Sequence, residues 1–98
     1  MSTDLLASGD LLDRAWRLDA QVSVRPERFG ALLYHFGTRR LSFLKDPKLL
    51  TVVRALDQHA DARAACLSAG VTEAELPSYR AALATLAGSQ MIRERSAG

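Results

Sequence analysis

A single cysteine, Cys66, cannot form an internal disulfide or supply a zinc site, so neither cross-link nor structural metal supplements the core. Long apolar runs are absent as well: Phe29 to Phe36 and Ala81 to Ala87 fall far short of the ~20 residues of a membrane span. Met1 to Ala15 carries acids where a signal peptide carries bases, which points to a cytoplasmic protein. The glycines at 30, 37, 70 and 88 are isolated, and none builds a GxGxxG or GxxxxGK phosphate loop. Only two histidines occur, His35 and His59, with no Cys/His/Asp cluster at metal spacing near either. No catalytic residue, metal ligand or cofactor is therefore assigned.

What is present is one small domain. A chain of 98 residues, 48% hydrophobic and 24% charged, buries roughly 60 to 65% of its unfolded surface, enough for one modest core and too little for a separate catalytic domain. Its net charge of +2 is unevenly spread: residues 1–13 carry −3, residues 14–45 carry +5, residues 46–92 carry −1 and residues 93–98 carry +1. Eleven of the thirteen bases are arginine. That bias is compatible with recognition of carboxylate or phosphate, and equally with the codon composition of a GC-rich genome.

From Trp16 to Leu44 the hydrophobic period is two, which predicts three antiparallel strands. Trp16, Leu18, Val22 and Val24 lie on the first, ending at Pro26, with Pro26, Glu27 and Arg28 as the turn. Phe29 to Phe36 and Arg39 to Leu44 form the next two, joined through Gly37 and Thr38 as a type II′ hairpin. That register sets Tyr34 opposite Leu41 and Leu32 opposite Phe43. The larger apolar side chains put Leu32, Tyr34, Leu41 and Phe43 on the core face; Ala31, Leu33, His35, Arg40 and Ser42 then fall on the outer face.

Beyond Leu44 the period becomes 3.6. Asp46 and Pro47 have the form of an N-cap and first helical residue, and Leu49, Val52, Val53 and Leu56 make a buried stripe. A second helix runs from Asp61 to about Ala69, where Cys66 is a small buried thiol, and stops at Gly70. Thr72 to Glu75 reads as a capping box. A third helix starts near Pro77, with Tyr79, Leu83 and Leu86 on one face, and ends at Gly88. Met91 and Ile92 fold back on the core. The expected architecture is α+β and winged-helix-like: a three-stranded antiparallel sheet, then a three-helix bundle. Its domain spans residues 14–92, between a flexible N-terminus (1–13) and a flexible tail (93–98).

A winged-helix shape with a basic segment makes DNA binding the alternative function. Against it, residues 77–88 offer only Arg80, Ser78 and Thr85 to read bases, and Arg39 and Arg40 on a wing supply a weak, salt-dependent contact. The third strand ends the sheet and leaves an edge open to an extended peptide. Ala81 and Ala84 on the third helix either make room for such a guest or are ordinary close-packing alanines of high helix propensity. An open edge equally allows pairing with a second copy, so a homodimer stays among the possible partners.

The segment VSVRPERFGALLYHFGTRRLSFLK, Val22 to Lys45, resembles the signature of the mycofactocin-system peptide chaperones, a branch of the PqqD-like recognition elements for ribosomally made, modified peptides. The likeness extends through the helices to about Arg95. It implies a non-catalytic chaperone that binds the leader of a precursor peptide and presents it to a radical S-adenosylmethionine maturation enzyme, whose iron–sulfur clusters belong to that partner. It also implies that the leader adds as an antiparallel strand to the third strand and packs on the third helix. The site residues that follow are Arg39, Arg40, Leu41, Ser42, Phe43 and Leu44 on the strand, and Tyr79, Arg80, Leu83 and Ala84 on the opposite wall. Arg39, Arg40 and Arg80 would favour an acidic leader.

Overall fold

The structure, a computed structural model, describes residues 10–95; the flexibility expected of 1–9 and of 96–98 lies outside them. Five strands and three helices follow in order: β1 (Trp16–Leu18), β2 (Val22–Glu27), β3 (Gly30–His35), β4 (Leu41–Leu44), α1 (Pro47–Ala55), α2 (Ala62–Ser68), α3 (Leu76–Gly88) and β5 (Ile92–Glu94). The α+β, winged-helix-like class holds, with β2, β3 and β4 forming a three-stranded antiparallel sheet ahead of the helices.

The single first strand of the sequence reading is two. Val22 N–H bonds back to Asp19 O at 2.9 Å, and the Asp19 carboxylate accepts from Gln21 N–H at 2.8 Å. This turn sends β1 into a separate ladder with β5, where Trp16, Arg17 and Leu18 face Glu94, Arg93 and Ile92. The tail expected to be flexible from Arg93 is thus a strand through Glu94. At the other end, Leu11–Asp13 forms a 3₁₀ turn capped by Asp10 with Leu12 buried, inside the stretch assigned to a flexible N-terminus.

Pro26 does not end its strand, and the turn lies at Arg28 and Phe29. Phe36 N–H donates to Gln21 O at 2.9 Å, and bonded and non-bonded pairs alternate along an antiparallel ladder. Pro26, opposite Ala31, therefore sits in a non-bonded pair, and its missing N–H would face solvent on an edge strand. The β3–β4 register is the expected one, Tyr34 opposite Leu41 and Leu32 opposite Phe43, but the hairpin is wider than a type II′ turn. Arg39 N–H donates to His35 O at 2.7 Å, and Arg39, at φ 64, takes the left-handed position in place of Gly37.

The faces are the reverse of those expected. Ala31, Leu33, His35 and Leu44 are buried against the helices, whereas Leu41 is 60% and Phe43 48% exposed on the outer face, with Leu32 and Tyr34 only half-buried. Phe36, also outside, meets Tyr34 edge to face at 5.2 Å. His35, expected on the surface, is 4% exposed. Gly30 lets the start of β3 approach β4: a Cβ there would lie 1.9 Å from Leu44 O.

The helices follow their sequence signals. Asp46 caps α1 by accepting from Lys48 N–H, Pro47 occupies the first position, and Leu49, Val52 and Val53 are buried. Asp61 caps α2 through Ala64 N–H, and Gly70 at φ 96 follows its end. The Thr72 and Glu75 capping box forms, holding the Glu75 carboxyl below its ordinary pKa chiefly through its bond with Thr72 N–H. Helix α3 closes on a Schellman pattern, Met91 N–H to Leu86 O and Gln90 N–H to Ala87 O. Gln90 at φ 65 carries the left-handed turn two residues past Gly88. The pattern folds Met91 and Ile92 into a core shared with Trp16, Leu33, Leu44, Leu56 and Leu83.

Candidate functional site

Sheet order β2, β3, β4 leaves β4 with one strand neighbour among the described residues. His35 N–H donates to Arg40 O at 3.0 Å. By alternation, Leu33 with Ser42 and Ala31 with Leu44 are the bonded pairs. Leu41 and Phe43 therefore turn their N–H and C=O groups away from β3, toward the edge. Two donors and two acceptors at this spacing are what an added antiparallel strand requires.

A cleft of ≈ 380 Å³ lies along that edge, between Ser42, Phe43 and Leu44 on one wall and Ala82, Thr85 and Leu86 of α3 on the other, with Leu49 of α1 also lining it. Leu49 and Ala82 are shared with a second cleft of ≈ 160 Å³ lined also by Asp46, Ser78 and Tyr79. Together they make one groove running from β4 along α3. The Tyr79 hydroxyl donates to Asp46 Oδ2, and burial, reinforced by that carboxylate, pushes the phenol pKa far up. The groove wall thus carries a neutral phenol tied to the N-cap of α1.

The predicted residues divide. Ser42, Phe43, Leu44 and Tyr79 line the groove, and Leu41 contributes its backbone edge. Arg39 and Arg40 are exposed at the hairpin end of β4. Leu83 is wholly buried in the core. Arg80 faces elsewhere, within 3.8 Å of Asp10, in a depression with Leu12, Arg63 and Leu76. Ala84 is exposed, two residues and so about 200° around α3 from Ala82. The structure thus brings Ala82, Thr85, Leu86, Ser78, Leu49 and Asp46 to the groove, none of which the sequence reading assigned to it. The helical period would have found them: Ser78, Ala82, Thr85 and Leu86 recur at i, i+4, i+7, i+8, one stripe displaced from the core stripe.

A protein-family model described as the peptide chaperone MftB family matches residues 15–93. The chain belongs to the peptide chaperone MftB family. It is similar to the peptide chaperone MftB of Mycobacterium ulcerans (strain Agy99), 62% identical over 80 residues that cover 82% of this chain and 73% of the relative. The counterpart in Mycobacterium tuberculosis (strain ATCC 25618 / H37Rv) is 57% identical over 83 residues, covering 85% and 76%. That of Mycolicibacterium smegmatis (strain ATCC 700084 / mc(2)155) is 54% identical over 80 residues, covering 82% and 78%. No solved structure matches. The family is one of peptide chaperones and not of enzymes. Its match reaches from just before β1 into β5, so it takes in all of β1 and the first two residues of β5. Among the described residues, no three His, Cys, Asp or Glu side chains converge as a metal site would need, and no helix is long and apolar enough to cross a membrane.

Proposed function

We propose that this peptide chaperone binds the leader of a ribosomally made precursor peptide of the mycofactocin system as an added strand on β4, and presents it to a radical S-adenosylmethionine maturation enzyme in the cytoplasm. The outward-facing backbone of Leu41 and Phe43, set beside an apolar groove, supports the reading most directly. A guest strand bonding to both residues places the side chain opposite Ser42 into the groove, between Leu49 and Ala82. The guest side chains on either side of it lie with Leu41 and Phe43 on the outer face. Affinity then comes from main-chain bonds and selectivity from one apolar side chain in the groove. Arg39 and Arg40, at the hairpin end of the same edge, favour an acidic flank of the leader. Arg80, held near Asp10, is left out of that set.

Calorimetric titration with a synthetic precursor peptide tests the proposal: saturable micromolar binding that weakens only mildly with salt is expected. The alternative, DNA binding, predicts instead a steep salt dependence with duplex DNA. The fold offers it little, since the one arginine of α3 lies beside an aspartate.

A further inference from the structure

His35 is almost wholly buried and lines neither cleft, yet both of its ring nitrogens face polar partners. Nδ1 accepts two backbone N–H bonds, from Gly37 at 3.0 Å and Thr38 at 3.1 Å. A ring nitrogen that accepts such bonds carries no proton, so the proton sits on Nε2 and the imidazole is neutral. Nε2 faces Asp19 Oδ1 at 3.6 Å. Asp19 is held in turn by Gln21 N–H at 2.8 Å and by Arg93 Nε at 3.2 Å on β5. A Cβ at Gly37 would lie 2.7 Å from Gln21 Oε1, the mobile end of an exposed side chain, and 3.0 Å from Cε1 of the ring, so glycine lets the loop lie close against the imidazole.

Those two N–H bonds close the loop of residues 36–39. The same loop ends on the left-handed Arg39, and the next residue accepts the first β3–β4 bond, Arg40 O from His35 N–H. One residue therefore ties both ends of the turn: its backbone bonds Arg39 and Arg40, and its side chain holds Gly37 and Thr38. We propose that His35 is a positioning residue for the peptide edge, its neutral imidazole fixing the hairpin loop and with it the start of β4 that presents Leu41 and Phe43. The proposal rests on the reading that the peptide pairs with β4. A side chain without an acceptor at the Nδ1 position leaves two loop N–H groups facing an apolar surface, which favours an opened loop. Apparent affinity then falls by the fraction of molecules that keep the edge in place.

Two variants of the whole chain separate positioning from bulk. His35→Leu fills the space and removes the acceptor; His35→Asn sets an amide oxygen near the Nδ1 position and restores it. Nitrogen-15 spectra of the wild-type ring at neutral pH should show Nδ1 without a proton. His35→Leu should speed hydrogen exchange at Gly37 and Thr38 and weaken binding of a synthetic precursor peptide about tenfold or more, and His35→Asn should restore both. A protonated Nδ1 in the wild type overturns the proposal. So does a His35→Leu protein whose loop amides are freed while its peptide affinity is unchanged. If His35→Leu does not fold, folded His35→Asn decides: wild-type affinity supports the proposal, and lost affinity overturns it. Protection of Leu41 and Phe43 amides by peptide in the wild type, together with an indifferent His35→Leu, would refute the positioning role and leave the edge reading standing. Peptide protection elsewhere would refute both.

Discussion

Replacing Ala82 with tryptophan tests the groove at the α3 residue that both clefts share. Ala82 lines both clefts and is only half-buried, so an indole there projects into the space assigned to the guest residue opposite Ser42. Full burial of one Val, Leu, Ile, Phe or Met side chain contributes about 1.5 to 3 kcal/mol, and each 1.4 kcal/mol is a factor of ten. Losing that burial should raise the peptide Kd roughly ten- to hundredfold. Because the new side chain enters open groove and not packed core, thermal stability should fall by no more than about 1 kcal/mol. Ala84→Trp is the matched control: it adds the same indole to the exposed flank of α3 and should leave Kd within about twofold. Isothermal titration of both proteins with the precursor peptide, alongside thermal melts, reads the result. Equal loss of affinity in the two variants, or wild-type affinity in a folded Ala82→Trp protein, would refute the groove.

Three further predictions follow from the contacts around it. Asp46 caps α1 and accepts from Tyr79, so Asp46→Ala should cost about 1 to 3 kcal/mol in urea unfolding, more than an isolated cap, and Tyr79→Phe should cost less. The Asp19 carboxyl is held below its ordinary pKa, first by Gln21 N–H and then by Arg93 and His35, against the opposing effect of burial. A folded pKa below the unfolded one gives stability that is present above the unfolded value and lost as pH falls through the folded one. Asp19→Asn should therefore destabilise the protein at neutral pH and shrink the acid-limb loss below about pH 4, as followed by pH-dependent denaturation. Burial pushes the Cys66 thiol up, so at neutral pH it should alkylate far more slowly than free cysteine, reacting fully only on unfolding.

Much of the helical half was legible because its signals are local. Asp46 with Pro47, Asp61 and the Thr72 to Glu75 box each act within four residues, and the chain obeys them. Strand pairing in the sheet was legible too, since parity fixes Tyr34 against Leu41 whichever face is buried. Which face is buried is not a local property. The larger side chains Leu32, Tyr34, Leu41 and Phe43 suggested the core, but α1 packs against β3 and β4 on the other face, its Leu49 and Val53 sharing one core cluster with Leu33 and Leu44. The small Ala31 suits that contact. His35 belongs there because backbone N–H groups bond its Nδ1 and the Asp19 carboxylate faces its Nε2, a compensation that no period reveals. The pairing of β1 with β5 joins residues more than seventy positions apart, and three-residue strands carry no period of their own.

In the groove, the strand side was readable from the open edge. On the helix side Tyr79 lines the cleft, whereas Arg80, Leu83 and Ala84 face elsewhere, because the alanines of α3 look alike in sequence. Ala82 and Ala84 differ only in the direction that the packing of Leu83 and Leu86 imposes.

Amide hydrogen exchange, residue by residue, with and without precursor peptide reads strand addition at β4 at the backbone itself. Ser42 and Leu44 already bond to β3, so their amides should be protected in the free protein and change little. Leu41 and Phe43 face the empty edge, so their amides should exchange fast alone and become protected when the peptide adds its strand. Saturable peptide binding that leaves Leu41 and Phe43 exchanging as before would contradict strand addition at β4.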